Sequence, residues 1–117
     1  MTVLDFSALD LDQQLLDALS DKGYERPTAI QAAAIPAAMD GRDVLGSAPT
    51  GTGKTAAFLL PALQHLLDYP RKKSGPPRIL ILTPTRELAM QVAEQARELA
   101  AHTHFRYRHD YRWRGPI

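Results

Sequence analysis

Residues 48–55 read Ala-Pro-Thr-Gly-Thr-Gly-Lys-Thr, and this octapeptide constrains the chain more than any other stretch. Gly51 and Gly53 let a backbone fold around an anion with its amide hydrogens pointing inward, while the helix expected to start near Lys54 adds its positive dipole end. Such a P-loop needs a buried strand before it and a helix behind it. The flanks supply both: Asp43–Ser47 reads as a short apolar strand, and Lys54 to about Asp68 as a helix kinked at Pro61. The chemistry follows from residue type. Lys54 is a point charge for the β and γ phosphates, and the Thr55 hydroxyl is suited to ligating Mg²⁺.

The remaining pattern extends the same α/β alternation. Asp10 is placed to cap a helix over Leu11–Ser20, with Leu11, Leu15, Leu16 and Leu19 on its buried face and Gly23 ending it. Thr28 is placed to cap a second helix through Ile35, and Pro36 to open a further short helix that stops at Gly41. Residues 70–77, PRKKSGPP, form a surface loop whose Arg71, Lys72 and Lys73 read as a solvated charge run. Arg78–Leu82 is a second apolar strand, and Thr85 caps an amphipathic helix to about Ala101 that buries Leu88, Val92, Ala96 and Leu99. Strand alternating with helix predicts a parallel sheet covered on both faces, here with only two strands visible. Open edges and bare apolar faces then make the chain prone to aggregation and proteolysis.

Composition narrows the functions. The 117 residues are enough for one small domain, with 44% hydrophobic and 23% charged residues. With no cysteine, disulfides, thiolate zinc sites and cysteine nucleophiles are excluded. His65, His102 and His104 lack companions at ligand spacing, so no metal or catalytic role is assigned to them. The first residues hold no run long and apolar enough for a membrane span or a signal-peptide core, and the expected location is cytoplasmic. Net charge is +1, but residues 1–104 carry ten Lys and Arg against twelve Asp and Glu, whereas 105–117 carry four Arg against one Asp. The basicity belongs to the tail.

Three ordered motifs now resemble one family. Ala48, where the general P-loop has glycine, is the form found in DEAD-box helicases; Gly23-Tyr-Glu-Arg-Pro-Thr-Ala-Ile-Gln31 resembles their Q motif, with Phe6 at the place of an isolated upstream aromatic; and Pro84-Thr-Arg-Glu-Leu-Ala89 resembles their motif Ia. The resemblance implies an incomplete RecA-like P-loop NTPase domain over residues 1–104 that binds ATP with Mg²⁺. Its implied nucleotide-binding residues are Tyr24, Arg26, Gln31, Ala48, Pro49, Thr50, Gly51, Thr52, Gly53, Lys54 and Thr55, with Thr55 on the metal. A glutamine amide pairs one donor and one acceptor with adenine N7 and N6 but not with the matching edge of guanine, and Tyr24 is suited to stacking on the base, with Arg26 beside it. By itself Gln31 would read as a helix surface residue. Pro84, Thr85 and Arg86, at the carboxyl end of a strand and the start of a helix, are implied to bind RNA phosphates without reading sequence, and Glu87 to be structural. The wider likeness of residues 27–104 is to a bacterial branch of the family engaged in large-subunit ribosome assembly, which implies ribosomal RNA or pre-50S particles as partners.

The C-terminal residues admit two readings. Phe105–Ile117 alternates arginine with aromatics as a nucleic-acid-binding tail would. Reverse translation with arginine as CGN, shifted forward by one base, instead permits Asp-Ile-Ala-Thr-Ile-Thr-Gly-Gly-Val-Ala, the run such helicases carry next. Trp113 followed by Arg114 forces one of those glycine codons. The tail is therefore expected to be out of frame. Neither an Asp-Glu-Ala-Asp nor a Ser-Ala-Thr motif occurs in the sequence, and the resemblance places the water-positioning group and the transition-state arginines in those missing parts. No ATP hydrolysis by this chain alone is expected.

Overall fold

In the computed structural model, residues 5–46, 53–70 and 75–105 are described. A 3-10 turn at Phe6–Leu9 leads into α1 (Gln13–Asp21), followed by α2 (Ala29–Met39), α3 (Lys54–Asp68) and α4 (Arg86–Leu99). The first boundary departs from expectation. Asp10 sits at φ 59° as the end of the 3-10 turn, and Asp12 caps α1, its side chain accepting from Gln14 N–H at 2.9 Å. A left-handed residue does not open a helix, so the cap moves two positions on.

The helix ends are set by local chemistry. At the end of α1 the Gly23 N–H donates to Ser20 O and the Tyr24 N–H to Leu19 O, at 3.0 and 2.9 Å, with Gly23 at φ 75°. This paired closure is a Schellman motif, and it fixes the backbone of Tyr24. Gly41 ends α2 in the same way, its N–H donating to Ala38 O while Arg42 N–H donates to Ala37 O. One continuous helix runs through Pro36, against the expected break there. The proline removes a single backbone bond, and the neighbouring turn is built of Ala32, Ala33 and Ala34, which offer its ring little obstruction.

The helices share one core. Leu15, Leu19, Ile35, Leu60 and Leu99 are essentially inaccessible, joined by Phe6, Leu9, Leu11, Ala56, Leu59 and Leu63. The α1 leucines are where their spacing put them, although Leu16 is only partly buried. On α4, Val92 and Leu99 are buried and Ala96 packs partly against the core, but Leu88 is exposed. Leu88 lies in the first turn, beyond the reach of that cluster.

Neither expected strand forms a ladder among the described residues. Val44 and Leu45 are exposed, as are Leu80 and Leu82, whereas Ile81 between them packs against the core. Exposure thus alternates along residues 80–82, with Ile81 toward the helices and its neighbours bare. A parallel strand is held by neighbours on both sides and covered on both faces. The described residues provide only the helical cover.

Candidate nucleotide and RNA site

Gln31 organises the site, and its burial was not legible in its surroundings. It is 2% exposed. Its Oε1 accepts from the Thr28 N–H at 2.9 Å, and its Nε2 donates to the Gly53 carbonyl oxygen at 3.1 Å. One side chain thus ties the first turn of α2 to the residue that opens α3. Thr28 and Gln31 stand in capping-box relation, but only the glutamine half closes with good hydrogen-bond geometry, and the Thr28 Oγ1 is buried without a partner. An amide oxygen has two lone pairs and an amide nitrogen two hydrogens, so each Gln31 atom keeps one further bond to offer.

Gly53 is favoured as glycine by its backbone, and a side chain there would also displace the Gln31 amide. It caps α3 at φ 81°, a left-handed conformation costly for residues with a Cβ, and a Cβ there would lie 2.1 Å from the Gln31 Nε2. The N-cap Gly53 has no side chain to cap the amides that open α3, and among the described residues they are left available to an anion. Lys54 is exposed and Thr55 partly exposed at this same end. The donor set fits a polyphosphate with Mg²⁺: a left-handed glycine, uncapped helix amides, an ammonium and a hydroxyl converge on one helix end. Ala48, Pro49, Thr50, Gly51 and Thr52 lie outside the described residues.

Tyr24 and Arg26 are exposed on the loop between α1 and α2. The Lys22 ammonium sits 5.2 Å from the Tyr24 ring centroid, within the range of a cation–π contact. Lys22 also pairs with Glu98 on α4, and nearby His102 Nε2 lies 2.6 Å from Asp21 Oδ2. Two side-chain pairs therefore join the end of α1 to the end of α4. Hydrogen bonds from Ser7 hold the Asp5 carboxyl below its ordinary range, and Arg26 adds a smaller push in the same direction.

At the other end of α4, Pro84, Thr85 and Arg86 are exposed together. The Thr85 Oγ1 accepts from the Leu88 N–H at 3.1 Å, and the Thr83 hydroxyl donates to the Thr85 carbonyl oxygen at 3.1 Å. Capping uses the acceptor side of the Thr85 hydroxyl and leaves its O–H free to donate. Glu87 is exposed in the first turn, where a carboxylate favours the helix dipole. Among the described residues no three His, Asp or Glu side chains gather as a metal site. Among them, too, no helix is long and apolar enough to cross a membrane.

Comparison with known proteins identifies the family and the fold. The chain is 83% identical over 104 residues to the ATP-dependent RNA helicase SrmB of Escherichia coli (strain K12), a match covering 89% of this chain and 23% of that protein. It is 55% identical over 97 residues to the E. coli ATP-dependent RNA helicase DeaD, covering 83% of the chain and 15% of the relative. Among solved structures, the RNA helicase Prp28 of Chaetomium thermophilum bound to ADP superposes with a TM-score of 0.78 at 46% identity, over 86% of this chain and 25% of that one. A DEAD box protein of Methanococcus jannaschii gives a TM-score of 0.71 at 37% identity, over 82% of this chain and 25% of that one. The chain thus spans about a quarter or less of the length of these relatives, and its fold is the corresponding part of their RecA-like domain. A family profile described as "DEAD/DEAH box helicase" matches residues 28–114, and with the joined Gln31–Gly53 corner and the exposed Lys54 already in place, the chain belongs to the DEAD/DEAH box helicase family.

Proposed function

We propose that this chain is the nucleotide-binding part of an ATP-dependent RNA helicase, taking ATP with Mg²⁺ at the opening of α3 and an RNA backbone at the opening of α4. The observation that carries the reading is the Gln31–Gly53 hydrogen bond, which sets a base-reading amide directly against the phosphate-binding end of the P-loop. Bound ATP would supply a phosphoanhydride for cleavage, with Mg²⁺ neutralising its charge. This chain's own part is to hold it. Gln31, Tyr24 and Arg26 would orient the base; Gly53, Lys54 and the α3 amides, with residues 48–52, would hold the phosphates; and the Thr55 hydroxyl would ligate Mg²⁺. Thr85 and Arg86, with Pro84 beside them, hold RNA phosphates through a free O–H, a guanidinium and the first amides of α4, which gives affinity without sequence readout. Ribosomal RNA or pre-50S particles are the proposed source of that RNA, on the strength of the likeness to SrmB.

By itself the chain binds and does not hydrolyse, because no Asp-Glu-Ala-Asp run to position the attacking water is among its 117 residues. An absent arginine finger alone costs about 10³ to 10⁵ in rate. Removing the P-loop charge tests the binding half. Lys54→Ala should abolish nucleotide binding while changing stability by less than about 0.5 kcal/mol, since Lys54 is exposed. A large fall in thermal stability without nucleotide would make Lys54 structural and contradict the assignment.

We further propose that the unit runs over residues 1–104 and that 105–117 is out of frame. The likeness to SrmB over 104 residues supports this boundary, while the family match reaching residue 114 weighs against it. Phe105, just past that boundary, packs on the core and donates its N–H to Thr103 Oγ1 at 3.2 Å, which also weighs against it. Sequencing the locus decides: restoring one base near codon 104 should open a frame through Gly-Gly-Val-Ala to a DEAD motif. If the shifted frame lacks both, the arginine-aromatic tail is to be treated as an RNA-binding element, and its deletion should flatten the salt dependence of RNA binding.

A further inference from the structure

Tyr24 stands on a loop, yet two independent devices fix it. Its backbone is held by the Schellman closure of α1, where its N–H donates to Leu19 O. Its ring lies under the Lys22 ammonium, 5.2 Å from the centroid. Lys22 is not a free surface lysine: its side chain is 15% exposed, and its ammonium is paired with Glu98 on α4. A carboxylate from another helix therefore sets where the ammonium lies, and the ammonium sets where the ring lies. A tyrosine ring has two faces. With a cation against one of them, an incoming base stacks on the other, and the ring has already lost the rotamer freedom that stacking would otherwise take from it.

We propose that Lys22 is a positioning residue for the nucleotide base: anchored by Glu98, it holds the Tyr24 ring in its stacking orientation and so strengthens binding of the base without touching the phosphates. The inference rests on the assignment of Tyr24 to the base under the proposed function. It also ties base binding to the seating of α4, since Lys22 and Glu98 are the link between the two.

A ligand with a base and one without separate this role from simple stapling of helices. Titrations of the 117-residue chain with ADP and with inorganic tripolyphosphate, followed by NMR because affinities are expected to be weak, give both. Lys22→Met keeps the aliphatic stem and removes the charge. It should weaken ADP about three- to tenfold, the usual worth of a cation–π contact, and leave tripolyphosphate unchanged. Lys22→Arg should restore ADP binding. In a Tyr24→Ala background, Lys22→Met should add no further loss. Equal weakening of both ligands, no weakening of ADP, or the same loss with Tyr24 absent would each overturn the proposal. If Tyr24→Ala itself leaves ADP binding untouched, the assignment of Tyr24 to the base fails first and takes this inference with it. Should Lys22→Met unfold the chain, Glu98→Gln poses the same question by freeing the ammonium, and an ADP-specific loss is again required.

Discussion

The amide of Gln31 has one role in the fold and a second one proposed for it. Held 2% exposed between Thr28 N–H and Gly53 O, it is first a strut between helices, and its remaining donor and acceptor are what a base could use. Gln31→Glu separates the components, because a carboxylate still accepts from Thr28 N–H but cannot donate to Gly53 O or complete the adenine pairing. Stability should fall by about 1–3 kcal/mol, the cost of leaving a buried acceptor unpaired, and any preference for ATP over GTP should vanish. Chemical denaturation and competition binding check the two halves; a variant of unchanged stability that still prefers ATP would leave the amide without either role. Residue type alone did not reveal this burial. A polar side chain in a run of alanines has no local mark of being inside, and only the family likeness singled out Gln31 before its contacts were known.

Elements were legible where one residue sets them and illegible where a partner does. Lys54–Asp68 has the expected bounds, because a P-loop fixes its start. Thr85 caps α4 as its place before Arg-Glu-Leu-Ala implied. Asp10 and Asp12 are both good caps two residues apart, and what separated them was the backbone of the preceding 3-10 turn, which no propensity encodes. The two apolar runs, Asp43–Ser47 and Arg78–Leu82, carry strand composition, but a strand exists only against a neighbour, and among the described residues neither run has one. Leu88 was placed inside by periodicity, yet the core cluster stops short of it. The cap itself is testable. Thr85→Ala should cost about 1 kcal/mol and speed amide exchange at Leu88, whose N–H the threonine oxygen accepts, while Thr85→Ser should behave as the parent. Unaltered exchange at Leu88 in Thr85→Ala would mean that the cap is not formed in solution.

At the scale of the whole molecule, the described helices around one leucine-rich core carry the openings of α3 and α4, each with exposed polar side chains, while Val44, Leu45, Leu80 and Leu82 are exposed. Leu45, Leu80 and Leu82, each exposed, are a liability to association, so binding is best measured dilute and soon after preparation. This surface is proposed to take an adenine nucleotide by its base as well as its phosphates. The most direct measurement is an equilibrium competition of ATP against GTP on the unmutated chain, with Mg²⁺ present and phosphate release followed in parallel. Weak binding that favours ATP, with no release above background, is expected; equal affinity for the two nucleotides would contradict the assignment of the base.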